Sequence, residues 1–231
     1  MVLCNRRTRK SARILKEQLS INEYDGLPIN YGCSRLNYSG EVLNKPEAVG
    51  KAVNKHLALQ ILEDYEVPTP LISEEEALEL IEEGERVVGR KTYHMKGRGF
   101  WLLRYPHRLR RAKRLGATYF LRYIEDAREF RVHIVGDKSI KISEKIKPYG
   151  VIKANHDNGT IFQYPEDFNH KKTLRRIAKE SIEALGLDFG AVDILWKDDE
   201  FFVIEVNTAP ALTDENSDTL DRYVSAFLSL T

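Results

Sequence analysis

Gly190-Ala-Val-Asp193-Ile-Leu-Trp196-Lys-Asp-Asp-Glu200-Phe-Phe-Val203-Ile-Glu205-Val-Asn207-Thr-Ala-Pro210 reads as two apolar strands, 191–196 and 201–206, joined by Lys197–Glu200. Asp193 and Glu205 interrupt these strands. A carboxylate in such a setting is costly to desolvate unless it is paired or bound to a metal. Glu205 and Asn207 are two apart and share one strand face. Asp193 joins them only if the register pairs 193 with 205, which implies an odd-numbered loop such as 198–200. Three hard oxygen ligands would then converge, as Mg²⁺ prefers when it also holds phosphates. The residues alone leave a second reading open, a buried carboxylate that caps a loop or pairs with an arginine.

Working outward, Glu129–Val135 and Lys138–Ile146 form a hairpin across Gly136-Asp137. Arg131 shares a face with Glu129 and His133, while Phe130, Val132 and Ile134 take the other, so one face is expected to be wet. Lys141, Lys145 and Lys147 line one face of the partner strand; Lys145 is favoured as the functional one, because lysines on an edge strand also serve to discourage aggregation. A helix over 170–185 ends at Gly186. Upstream, Asn44-Lys-Pro46-Glu opens a helix carrying Val49, Val53, Leu57 and Ile61, and Ser73-Glu-Glu-Glu76 is a capping box. Strands are expected at 86–91, 100–104 and 119–124, with the glycine-bearing stretch His94-Met-Lys-Gly-Arg-Gly99 between the first two. Helices and strands mix without strict alternation, so the fold class is α+β.

Composition sets the outer bounds. The 231 residues carry 36 Lys+Arg against 35 Asp+Glu, so no global bias toward nucleic acid or membrane exists. Cys4 and Cys33 are too few for a disulfide scaffold and point to a reducing cytoplasm. The N-terminus turns polar too soon for a signal peptide, and no apolar run is long enough to span a bilayer. Charge is segregated nonetheless: 57–85 holds ten acidic residues and no Lys or Arg, and 86–124 holds twelve Lys or Arg and no acid.

The motifs together resemble ATP-grasp ligases of the RimK-like, phage-type group. Asp193-Ile-Leu followed by Val-Ile-Glu205-Val-Asn207-Thr-Ala-Pro210 is similar to the family's metal signature. Asn54-Lys55 with Glu66-Val-Pro-Thr-Pro70 resembles the opening of the core, and 86–99 the strand and glycine loop that close over ATP. Glu129-Phe-Arg131 resembles the central strand, and Asn30-Tyr-Gly32 with Asn44-Lys-Pro46 a truncated pre-domain.

The resemblance implies an ATP-grasp fold, two α+β lobes clasping ATP, with a pre-domain over 1–48, a first lobe over 49–120 and a second over 121–231. It implies ATP and Mg²⁺, with Mn²⁺ as a substitute, and Asp193, Glu205 and Asn207 as metal ligands. Arg131 and Lys145 would act on the reacting phosphoryl group. Arg90, His94, Lys96, Gly97 and Gly99 would surround the phosphates. Tyr123 and Ile124 would meet the adenine and Glu129 the ribose, while Asn155 and His156 would contact substrate. The implied activity is ADP-forming ligation of a carboxylate to an amine through an acyl-phosphate, joining an amino acid to a peptide or small amine, on substrates that include acidic ones. Family members are often dimers or tetramers, and a phage-type member acts in the host cytoplasm. Two rivals remain: a kinase-like phosphotransferase on the same fold, and a nucleic-acid-binding module built on the basic segment 104–114.

Overall fold

The computed structural model describes residues 1–93, 99–148, 159–212 and 217–230. Its larger sheet has five antiparallel strands in the order β11-β10-β7-β8-β9: β7 (Arg128–Val135), β8 (Lys138–Ile146), β9 (Ile161–Gln163), β10 (Phe189–Lys197) and β11 (Glu200–Asn207). A smaller antiparallel sheet runs β3-β6-β4-β5, from β3 (Leu71–Ile72), β4 (Val87–Arg90), β5 (Phe100–Leu103) and β6 (Tyr119–Arg122). At the N-terminal end β1 (Val2–Cys4) pairs in parallel with β2 (Ile29–Tyr31). Seven helices complete the described residues: α1 (Arg9–Ile21), α2 (Pro46–Val53), α3 (Lys55–Asp64), α4 (Glu74–Glu82), α5 (Pro106–Arg114), α6 (Lys171–Leu185) and α7 (Ser217–Leu228). No helix among these residues is long and apolar enough to cross a membrane.

The β10–β11 hairpin pairs Asp193 with Glu205, by a route the sequence did not announce. The turn is the two-residue Asp198-Asp199, with φ of 50° and 66°, the backbone of a tight hairpin turn. An even turn alone would set 193 opposite 204. The register instead shifts beside Asp193, where Ile194 still faces Val203, and Ile204 is the extra residue of a β-bulge. The bulge lets Val203 and Val206 both enter the core while Glu205 turns to the opposite face with Asp193.

That core lies between the large sheet and α2, α3 and α6, and it takes in Phe130, Val132, Ile134, Val192 and Ile194, all fully buried. Val88, Tyr119 and Leu121 of the small sheet join the same cluster, so the two sheets share one apolar centre. The expected boundary at 120/121 falls inside β6, which hydrogen-bonds to β3 and β4. The single helix expected after Asn44 is two helices, because Asn54 leaves helical geometry (φ −83°, ψ 89°) and its side chain caps α3 through the Leu57 N–H. Val53 and Leu57, expected on a buried stripe, are exposed in consequence. The capping box of α4 forms as expected, with Ser73 and Glu76 exchanging hydrogen bonds.

The face of β7 that carries Glu129, Arg131 and His133 is only partly wet. At its far end α7 covers it, and His133 Nδ1 donates to the Tyr223 hydroxyl (3.0 Å), which donates to the Gly190 carbonyl (3.3 Å). Burial, with help from the Arg131 charge, depresses the imidazole pKa from 6.5 to about 3. The unfolded chain therefore binds this proton below pH 6.5 while the folded chain resists it until about pH 3, and stability falls as pH drops through that window. The slope from this group reaches about 1.4 kcal/mol per pH unit. Urea midpoints from pH 7 to 4 should show His133→Gln with a flatter acid limb than the parent; parallel limbs would contradict the account.

The strand-end segment after β11 is fastened to the N-terminal elements. The Tyr31 hydroxyl donates to the Pro210 carbonyl, and Ser11 Oγ bonds both the carbonyl (3.3 Å) and the amide (3.0 Å) of Leu212. Gly32 has φ +83°, and a Cβ there would lie 2.9 Å from Ala209 Cβ and 3.2 Å from Thr8 Cγ2. Gly32→Ala should therefore lower stability by about 2 kcal/mol through left-handed strain and overlap together. A shift in urea midpoint measures it, and an unchanged midpoint would mean that these segments part easily.

Candidate functional site

Glu205, Asp193, Arg131 and Ser143 stand opposite one another across β11, β10, β7 and β8, and form a single row on one face of the large sheet. Arg131 grips Asp193 bidentately, Nε to Oδ1 at 2.7 Å and Nη2 to Oδ2 at 2.8 Å. Lys145, one step along β8, bridges Asp193 Oδ2 and Glu129 Oε1, each at 2.7 Å. Lys147 lies 3.9 Å from the other Glu129 oxygen. Lys55, at the first turn of α3, bonds Glu205 Oε1.

Burial alone would push both acids up. The Asp193 pKa is nevertheless held well below its ordinary value, because Arg131 and Lys145 outweigh the desolvation. Lys55 does the same for Glu205. Arg131 is pushed upward in turn: burial works against its charge, and Asp193 more than offsets it. The acids of the row are thus ionised at neutral pH and neutralised by side-chain cations.

Asn207 is opposite Ala191 and follows Glu205 on the same strand face. Its Nδ2 is buried and has no hydrogen-bond partner among the described residues. The carboxylates of Asp193 and Glu205 and the amide oxygen of Asn207 are hard oxygen donors, a set whose chemistry fits a small divalent cation. No group of three His, Cys, Asp or Glu suited to a metal occurs among the described residues.

The remaining expected residues fall into three sets. Glu129 lies beside the row as a buried carboxylate held by Lys145. Arg90 ends β4 with its guanidinium 5.4 Å from the Phe100 ring and a hydrogen bond to Tyr119. Gly99 adopts φ +62° at the edge of the loop, and its carbonyl accepts the Lys91 N–H (3.2 Å). Tyr123 and Ile124 lie beyond the end of β6 rather than in it; the Tyr123 N–H donates to the Arg86 carbonyl (3.2 Å), and Arg86 covers the Tyr123 ring at 4.6 Å. His94, Lys96, Gly97, Asn155 and His156 lie outside the described residues.

Sequence reading placed Lys55 only as part of a motif and gave it no role. Its signal was available: a lysine at the first position of a helix disfavours the dipole and requires another reason to be there. Lys141, passed over in favour of Lys145, is drawn away to Asp218 (3.1 Å) and Thr219 (2.6 Å). The basic segment 104–114 proves to be mostly α5, packed on α4, β4 and β5. Lys113 pairs with Glu74, whereas Arg108, Arg110, Arg111 and Arg114 are exposed without ion pairs among the described residues.

Residues 52–221 match the family described as the RimK-like ATP-grasp domain. The tetrahydromethanopterin:alpha-L-glutamate ligase of Methanococcus maripaludis is 25% identical over 185 residues, covering 74% of this chain and 62% of that protein. Human beta-citrylglutamate synthase B is 28% identical over 186 residues, 72% of this chain and 46% of the relative. The chain thus spans less than two thirds of the length of these curated relatives. In fold it is similar to the D-alanine–D-alanine ligase of Bacillus anthracis, with a TM-score of 0.67 at 17% identity over 99% of this chain and 96% of that one. It is also similar to the ATP-grasp ligase PsnB bound to its minimal precursor, with a TM-score of 0.62 at 17% identity over 84% and 65%.

Proposed function

Because the chain belongs to the RimK-like ATP-grasp family, we propose that it is an ADP-forming ligase that joins a carboxylate to an amine. The observation that carries this reading is the row Glu205–Asp193–Arg131 with Lys55 and Lys145 closing on it: acids kept ionised beside cations that can exchange partners. In the first step a carboxylate oxygen attacks the γ-phosphorus of ATP, its P–O bond forms, and the bond to ADP breaks. In the second an amine attacks the acyl carbon, phosphate leaves and the nitrogen loses a proton.

Asp193, Glu205 and Asn207 would hold Mg²⁺, or Mn²⁺ in its place. The metal, when bound, neutralises phosphate charge. Arg131 and Lys145 supply guanidinium and ammonium donors at the same face and are fixed there by strands rather than loops, which favours positioning over induced fit. Arg90, Gly99 and the loop residues His94, Lys96 and Gly97 would border the phosphates. Tyr123 and Ile124 would meet the adenine, Glu129 the ribose, and Asn155 and His156 the substrate. The named substrates of the curated relatives, glutamate among them, make amino acids and acidic small molecules the first carboxylates and amines to try.

The test is ATP-dependent phosphate release in Mg²⁺, screened across carboxylates and amines and followed by product identification. An amide with equimolar ADP supports the ligase. A stable phosphorylated product would assign a phosphotransferase, and no ADP with any pair would overturn the reading.

A further inference from the structure

Residues 86–124, with twelve Lys or Arg and no acid, place their densest charge on α5. This helix and α4 cover the outer side of the small sheet. Leu109 and Ala112 pack there with Ala77, Ile81, Val87 and Phe120, while Val88, Tyr119 and Leu121 enter the shared core from the sheet's other face. The surface of α5 therefore lies apart from that core, on a rigid, well-packed layer.

Helical geometry gathers the charges on one side. At about 100° per residue, His107, Arg108, Arg110, Arg111 and Arg114 fall on a single arc of about 160°, away from Leu109 and Ala112. All five are exposed. Each stands three or four residues from another, the spacing of neighbours on a helix surface. Lys113 lies outside the arc and is the charge that finds a partner, Glu74 Oε1 at 2.6 Å. The four arginines have no ion pair among the described residues. Like charges at this spacing destabilise a helix, and α5 contains no acid to relieve them. The dipole does not account for all of them either, since Arg108 sits in the first turn, where a cation is disfavoured. Lys91 adds a cation at the far end of α5. It runs alongside Gly99 and Gly116, where an added Cβ would come 2.8 Å from its Cγ and 3.3 Å from its Nζ.

The start of the same face is aromatic. Tyr105 precedes α5 in an extended conformation and makes no capping bond; its ring stacks on His107, with centroids 5.6 Å apart and 10° between the planes. Tyr105 is 58% exposed, so a planar partner can stack on it. On the neighbouring helix Glu75, Glu79 and Glu82 form an exposed acidic stripe, which repels an anion from the α4 side.

We propose that α5 is a binding face for single-stranded nucleic acid. Arg108, Arg110, Arg111 and Arg114 take the phosphates, whose oxygens match the planar guanidinium fork, and a base stacks on Tyr105. The ring pair is what favours this occupant: an acidic polypeptide supplies charge but no base to stack, and a duplex keeps its bases stacked on one another. This role goes beyond the ligase reading and does not depend on it.

The test is fluorescence anisotropy of a short labelled thymidine oligonucleotide titrated with the full chain, with Arg110→Gln/Arg111→Gln/Arg114→Gln and with Tyr105→Ala. The parent should bind with a roughly micromolar Kd at low salt and weaken as salt rises. The triple variant should lose roughly tenfold or more. Its plot of log affinity against log salt should be shallower by about two, because each phosphate contact to a single strand contributes about 0.7 to the slope. Tyr105→Ala should lose roughly fivefold or more at an unchanged slope, as a stacking contact would. Leu109 and Ala112 are untouched, so the urea midpoints should hold; should the triple variant misfold, Arg111→Gln and Tyr105→Ala carry the comparison. Equal affinity in parent and variants overturns the proposal. Poly-glutamate competing as well as unlabelled strand would assign an acidic polypeptide instead, and tighter binding of duplex would remove the stacking role; either overturns it. So would a parent that sediments as a dimer and a triple variant that sediments as a monomer, which would give this face to a second copy of the chain.

Discussion

Glu205→Gln is expected to cut ATP-dependent phosphate release by roughly 10³-fold while leaving the fold in place. The size follows from removing one anionic donor from a metal that contributes several kcal/mol of charge stabilisation, at 1.36 kcal/mol per tenfold. The fold survives for a local reason. Glu205 turns away from the apolar core because of the bulge at Ile204, its side chain keeps 31% of its exposure, and its one ion-pair partner among the described residues is Lys55 at 16%. Glutamine keeps the shape and can still accept a hydrogen bond from Lys55, so the stability cost should stay near 1 kcal/mol. Phosphate release measured beside a urea midpoint separates the two effects. Parental turnover would remove Glu205 from the metal set, and a collapsed fold would make it a structural residue.

Arg131→Ala should cost both activity and stability, with a loss of about 3 kcal/mol in unfolding free energy. Asp193 has only 4% of its side chain exposed, and Arg131 is its bidentate partner. Removing one partner of a buried pair typically costs about 3–5 kcal/mol, and Lys145, which stays on the same carboxylate, argues for the lower end. The doubly substituted Arg131→Ala/Asp193→Ala should be less destabilised than the two single losses added together, since the orphaned charge is gone. Strict additivity would mean that the pair is not coupled. Activity should stay lost in the double variant, because both proposed phosphate and metal contacts are absent.

The same pair bears on the two readings of Asp193, which are compatible with each other. The sequence offered either a metal ligand or an acid paired with arginine. The pairing with Arg131 is present in the structure, and it keeps the carboxylate ionised and in position, as a metal ligand would have to be. Glu205 with Lys55 repeats the arrangement. If both acids held a metal, Arg131, Lys145 and Lys55 would be left to face phosphate oxygens, and the metal would supply further positive charge there.

Much of the molecule was legible locally. Alternation along 129–135 gave the buried face of β7, the Ser73 capping box gave the start of α4, and Gly186 gave the end of α6, because each depends on neighbours within a few residues. The order and spacing of the motifs carried the family and the choice of Asp193, Glu205 and Asn207. Helices α5 and α7 went unread: charge crowds the first, and the apolar face of the second takes on meaning only once it has β7 and α1 to cover.

What the chain could not state by itself was how its acids would be partnered. That Lys145 would bridge Glu129 and Asp193, or that a helix start over a hundred residues away would place Lys55 on Glu205, follows from cross-strand register and helix docking, which no local window contains. The register itself rested on one inserted residue. The side-chain period along a strand is two, so without the bulge at Ile204 Asp193 would face residue 204, and Val203 and Glu205 would compete for one face. The acids of the candidate site were picked out by the sequence; their assembly on one face was decided by burial, because only the bulged register puts Val203 and Val206 in the core and the carboxylates outside it.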